Sequence, residues 1–268
     1  MSKGAIDLLR FARRCAASFL LVIFAAPVLI AVIVAFSPPQ SVFGGSGQLV
    51  GVPRGFTLQN FATAWERTDA GHSVFVSFTL SAIIGLLVAM WGMAIISSVL
   101  GLPTRGRSSI LSMLIAVRIL PPICLCTPIF VAGALFGLAP ATLFVISMSV
   151  LLVPLFSWLL GPAVDAFAEE WLDIPRLFGL GSFGSTLFVF MPLALGVFIM
   201  VTAAVAVTAW NEGFFSSALG VQTIIPAIPS LVSHRGTDWG AVMALGLISA
   251  SPGIVLTALI GLYRLGRD

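Results

Sequence analysis

Long apolar stretches separated by short polar ones dominate the chain. No Asp, Glu, Lys or Arg occurs at 15–53, 70–104, 119–164, 177–211 or 239–263. A helix crosses a hydrocarbon core of about 30 Å with about 20 residues. The 46 residues of 119–164 are therefore too long for one crossing and long enough for two. The break between them falls in LFGLAPAT (135–142), where Gly137 and Pro140 supply turn chemistry. Spans are predicted at about 16–36, 73–100, 110–134, 141–161, 187–209 and 239–262. The runs are continuous rather than made of alternating segments of about ten residues, which excludes a transmembrane β-barrel. The pattern predicts an all-α membrane protein with six transmembrane helices in a single domain, 1–268.

The intervening segments are unequal. Residues 37–72 begin with Pro38-Pro39, pass through Gly44-Gly45-Ser46-Gly47, and reach GFTLQNFATAW, where Thr57 is placed to cap a short interfacial helix. Residues 162–186 carry Asp165, Glu169, Glu170, Asp173 and Arg176, the densest charge in the chain. They read as a short helix around 163–173, then Pro175, then Gly179, Gly181 and Gly184. An apolar face of Trp171, Leu172, Leu177 and Phe178 suits either partner docking or the membrane interface. Residues 213–233 are uncharged and mostly apolar, but contain Gln222, Thr223, Pro226 and Pro229. They read as an external or re-entrant loop rather than a seventh span.

Charge orients the array. With the N-terminus cytoplasmic, Lys3, Arg10, Arg13, Arg14, Arg105, Arg107, Arg176, Arg264 and Arg267 fall inside, and Arg54, Arg67 and Arg235 outside. Nine against three obeys the positive-inside rule and places both termini in the cytoplasm. A seventh crossing would move Arg264 and Arg267 outside. The basic start followed by an apolar stretch resembles a secretory signal, but Ser18–Phe36 is longer than a usual signal core, so an uncleaved first helix is expected.

Composition narrows the chemistry. With 59% apolar and 9% charged residues the chain is far from a soluble globule, and its net charge of +3 is not clustered as nucleic-acid binding requires. The lone lysine, Lys3, belongs to no phosphate-binding loop. ATP, if it powers this chain, must be bound by another subunit. His72 and His234 fall in external loops without a ligand set, so no metal site is expected. Cys15, Cys124 and Cys126 lie in spans and read as packing residues.

Three places carry candidate function. Arg118 is costly at membrane depth unless it faces protein or water, or snorkels to the headgroups. Pro121 and Pro122 after it, with Pro128, remove backbone donors and kink or break the helix, as a pathway wall or as a packed kink. Trp210-Asn211-Glu212 closes the fifth span at the outer face. The trio suits either a polar gate for a sugar-like solute, with Trp stacking and the polar pair hydrogen-bonding, or an interfacial anchor.

The order of these features resembles the permease subunits of ABC importers, in particular the carbohydrate-uptake class like the maltose system's smaller permease. The resemblance covers most of the chain. TLQNFATAW resembles the segment after that family's first helix, RILPPICLCTPIF its third helix with the Pro pair, FGLAPAT its Gly-Leu turn, and AWNEGFFSSAL its Trp-Asn-acid motif. The family's cytoplasmic motif, E-A-A-x-x-D-G-A, falls on Asp173 to Gly179 when counted back from Pro192. Gly179 keeps the glycine position and Asp173 stands for the Glu, while both alanines and the Asp are replaced.

The resemblance implies a type I importer fold and a coupling helix in loop 162–186 seated in a cleft of an ATPase subunit, with Glu170, Trp171, Asp173, Arg176, Leu177, Phe178 and Gly179 at the contact. It implies a second permease, two ATPase subunits that carry ATP and Mg, an extracytoplasmic substrate-binding protein meeting loop 211–238, and a place in a bacterial-type inner membrane. Arg118, Pro121, Pro122, Trp210, Asn211 and Glu212 are then the pathway candidates. The solute expected is a sugar, polyol or glycoside, and no catalytic residue or bound cofactor is expected on this chain. A polyamine or another small polar solute is the alternative, disfavoured because no predicted span contains Asp or Glu. An ATP-independent carrier or channel is the other alternative.

Overall fold

A computed structural model describes residues 3–38, 55–119, 121–233 and 236–265. Thirteen helices occur among them: α1 Lys3–Ala35, α2 Gln59–Arg67, α3 Ala70–Val99, α4 Thr104–Ala116, α5 Pro122–Phe136, α6 Pro140–Glu170, α7 Asp173–Leu177, α8 Ser182–Ser185, α9 Met191–Leu193, α10 Leu195–Trp210, α11 Phe214–Ala218, α12 Ile224–Ala227 and α13 Trp239–Leu265. A π-helical turn, Thr186–Phe190, links α8 to α9, and 3-10 turns cover Val117–Ile119 and Ile228–Leu231. The only strands described, β1 Val232–Ser233 and β2 Gly236–Thr237, pair antiparallel. The predicted all-α membrane class holds.

Parts of α1, α3, α6 and α13 are each long and apolar enough to cross a membrane on their own. The other two predicted spans are interrupted, for local reasons. The span predicted at 110–134 is two helices: α4 starts earlier, at Thr104, and gives way to the 3-10 turn at Val117. Pro121 and Pro122 lack N–H donors, and proline disfavours a helical residue before it, so the chain restarts at α5 with Pro121 extended (φ −58°, ψ 133°). Leu120 lies outside the described residues. The span predicted at 187–209 is bent by 92° between Ser182–Leu193 and Leu195–Trp210. The π turn and Pro192 loosen the hydrogen-bond ladder just before the corner at Ala194.

Loop 162–186 is also corrected. The helix expected around 163–173 is the end of α6, which runs unbroken through Pro154 and Pro162 to Glu170. A separate turn of helix, α7, follows. The 213–233 segment contains no helix longer than five residues, so it forms no seventh span. His72 lies within α3 rather than in a loop. His234 and the Gly44–Gly47 stretch lie outside the described residues.

The chain divides into two compact units, one of residues up to Ala70 with Ile228–Ser249, the other of Gly71–Ala227 with Ala250 onward. In the first, Asn60 of α2 is buried, and its amide donates to Ala35 O at 2.9 Å and Ser37 O at 2.7 Å, with Val34 O at 3.3 Å. One side chain thus satisfies carbonyls that the end of α1 leaves without a helical donor. Thr57 takes its predicted place, its hydroxyl accepting the Gln59 N–H at 3.1 Å at the start of α2. Asp238 accepts the Ala241 N–H at 3.2 Å in the first turn of α13 and pairs with Arg67 at 3.4 Å.

The second unit packs α4, α5 and α10 against α6. Its core includes Ile84, Ile96, Phe144, Phe156, Leu160 and Phe190. Close approach depends on small residues, since apolar burial gives helices little drive to associate in lipid. Gly92 of α3 leaves room for the Phe156 ring of α6, which a Cβ there would overlap.

Candidate functional site

The segment after α6 is a hook rooted in the second unit. Phe167, near the end of α6, meets Phe190 of the π turn with ring centroids 5.3 Å apart, and both rings are buried. Leu172 and Pro175 are buried as well. Leu172 was expected on the exposed apolar face and instead anchors the hook. Trp171, Ile174, Leu177 and Phe178 point outward, with Leu177 86% and Phe178 82% exposed. A single turn of helix thereby presents four large apolar side chains on a buried base.

Gly179 ends that turn. Its φ is +75°, its N–H donates to Arg176 O at 3.0 Å, and the Leu180 N–H donates to Pro175 O at 3.0 Å. This is the paired-bond helix stop that needs a left-handed residue after the cap, a conformation glycine adopts without penalty. The glycine matched by motif position in the sequence thus has a physical role. Asp173 and Arg176 pair along the turn at 3.4 Å, but with 94% and 50% of their side chains exposed the pair adds little stability. Glu170 accepts the Trp171 indole N–H at 3.2 Å.

The predicted pathway residues lie in different surroundings. Arg118 sits exposed on the 3-10 turn between α4 and α5, with Pro121 exposed at the break after it. Pro122 opens α5. Trp210 ends α10 as predicted, but it is only 5% exposed, so its ring packs inside this chain instead of lying open as a stacking platform. Glu212 accepts the N–H groups of Phe214 at 2.9 Å and Phe215 at 3.1 Å, capping α11. Asn211 is the exposed member. It borders an open groove of about 680 Å³ whose other lining residues, Ala250, Gly253, Ile254, Thr257 and Ala258, come from α13.

One cluster escaped sequence reasoning. Arg107 of α4 is 1% exposed. Its Nε donates to Asp165 Oδ1 of α6 at 2.5 Å, Nη1 to Leu102 O at 3.2 Å and Leu100 O at 3.4 Å, and Nη2 to Thr104 Oγ1 at 3.4 Å. Thr104 in turn reaches Glu169 at 3.4 Å. The sequence signal was only that Asp165 borders the uncharged run 119–164 and that Arg107 lies two residues beyond Arg105 at the end of 70–104, which says nothing of their meeting.

No protein-family model matches the sequence. The melibiose/raffinose/stachyose import permease protein MelC of Bacillus subtilis is 21% identical over 211 residues, 76% of each chain. The probable ABC transporter permease protein YurM of the same species is 25% identical, covering 91% of this chain and 81% of its own length. The inner membrane ABC transporter permease protein YcjP of Escherichia coli is 21% identical over 97% of this chain and 94% of its own. Among solved structures, a chain of a bacterial ABC transporter that imports the acidic polysaccharide alginate superposes with a TM-score of 0.70 at 13% identity, covering 98% of this chain and 99% of that one. The fold is that of an ABC importer's membrane subunit. Along nearly its whole length the chain is similar to ABC transporter permeases, and over 76% of it to one named for sugar import, in keeping with the resemblance in the sequence motifs; it is a multi-pass membrane protein.

Proposed function

We propose that this chain is one of two permease subunits in a binding-protein-dependent ABC importer, and that it lines an alternating-access path for a neutral sugar, polyol or glycoside. The observation that carries the reading is the hook, a stopped turn of helix offering Trp171, Ile174, Leu177 and Phe178 at the end of a 31-residue membrane helix. Such a surface suits a hydrophobic cleft on a soluble partner, here an ATPase subunit that holds ATP and Mg. Closure of two such subunits would favour one state of the permease pair, because an equilibrium shifts only by differential binding. The chain itself performs no catalysis.

A sugar-type solute is supported by MelC, which is named for the import of melibiose, raffinose and stachyose. It is also supported by the groove beside Asn211, which has amide and hydroxyl groups in its lining but no charged residue. A polyamine path would call for carboxylates, and Glu212 already caps α11. In this topology the chain crosses six times with both termini cytoplasmic, α4–α5 and the bent α8–α10 each counting as one crossing. Trp210 then acts by packing beside the path, and Asn211 by offering its carboxamide to solute hydroxyls.

The test is co-purification of the tagged chain, expressed with its neighbouring genes' products, in mild detergent. Recovery of two ATPase subunits and a second permease is the expected result. A chain recovered alone in every detergent would instead favour the carrier or channel reading.

A further inference from the structure

Asp165 lies five residues before the end of α6, on the hook side of Pro162. Proline cannot donate its backbone hydrogen bond, so a helix yields most easily there when its end is loaded. A pull on α7 would therefore be lost in bending at Pro162 unless something beyond that point held the helix. Arg107 does so. Its rigid guanidinium joins Asp165 to the carbonyls of Leu100 and Leu102, where α3 turns into α4, and the Thr104–Glu169 contact lies one turn further along α6.

We infer that the Arg107–Asp165 pair is a latch that carries motion of the hook past Pro162 into the α3–α4 corner, making both residues positioning residues for energy coupling. The inference rests on the coupling role proposed for the hook. Stability alone explains the pair poorly, since an ion pair whose arginine is buried and whose Asp165 side chain is 30% exposed adds little over well-packed apolar groups. A planar fork holding acceptors on the α3–α4 corner and on α6 fixes their relative geometry, which is the property a transmitting joint needs.

The experiment uses the whole complex in proteoliposomes and measures subunit recovery, basal ATP hydrolysis and solute taken up per ATP. The neutral pair Arg107→Gln with Asp165→Asn leaves no buried charge unpaired, so it separates transmission from folding. It is expected to keep recovery and basal hydrolysis within about twofold while uptake per ATP falls about tenfold. Adding Pro162→Ala to the neutral pair is expected to restore part of the lost uptake per ATP, because the soft point is gone. Uptake per ATP equal to the unaltered complex would overturn the latch, as would failure of the neutral pair to assemble, which would make it scaffolding only. Leu177→Asp in parallel isolates the hook itself: if the ATPase subunits still co-purify at full yield, the coupling reading fails, whatever the neutral pair does.

Discussion

Asn60 has two amide protons, and its best acceptors, Ala35 O and Ser37 O, close the end of α1. Asn60→Ala leaves these carbonyls buried without a donor, at a cost of about 1–3 kcal/mol. Thermal unfolding of the detergent-solubilised chain should show a lower midpoint. Gly240→Ala should destabilise through the same amide, because a Cβ there would stand 2.5 Å from Asn60 Oδ1. Gly179→Ala tests something else: a Cβ there meets nothing within 4 Å, so the left-handed φ alone is penalised, by about 1 kcal/mol. Weaker ATPase recovery at unchanged expression is the expected outcome. At this scale the sequence was legible where partners are local. Thr57 at the start of α2 could be anticipated, whereas Gly179 was matched only by motif position, and the turn it stops, α7, was not expected. Asn60 stood in a recognised motif, but its acceptors lie 23 to 26 residues back. Arg107 and Asp165 are 58 apart, and neither separation can be read from one chain.

At the scale of elements, apolarity predicts where helix can sit in lipid and is blind to where it bends. Pro27, Pro128, Pro154, Pro162 and Pro252 all lie inside continuous helices, whereas the Pro121-Pro122 pair ends one. A single missing donor is tolerated in a membrane helix when neighbours re-satisfy the freed carbonyl, and consecutive prolines exceed that tolerance. The 92° corner at Ala194 was harder still, because its π turn consists of ordinary apolar residues, Thr186–Phe190. That turn supports the hook through Phe190. Phe190→Ala should open a cavity under Phe167 and cost about 3–5 kcal/mol. Limited proteolysis of the purified complex should then cut faster within 171–181, with cleavage elsewhere unchanged.

The whole molecule is legible in outline because the bilayer imposes one length scale on every span. Only 6% of the residues in the most apolar stretch of α1 are buried within this chain, and 17% of those in α13. Helices so apolar and so uncovered are stable only in lipid or against other membrane subunits. The orientation predicted from nine basic residues on one side and three on the other has a direct test. With Cys15, Cys124 and Cys126 replaced by serine, single cysteines at Ser230 and Ile174 report opposite sides; both positions are exposed. An impermeant maleimide added to intact spheroplasts should label Ser230→Cys and leave Ile174→Cys untouched. In inside-out vesicles the pattern should reverse. Labelling of both from the cytoplasmic side would mean that the bent span α8–α10 does not cross the bilayer, whereas complete reversal of the pattern would mean that the broken span α4–α5 does not. The hook would then face away from the compartment that holds ATP, and the ATPase contact could not form.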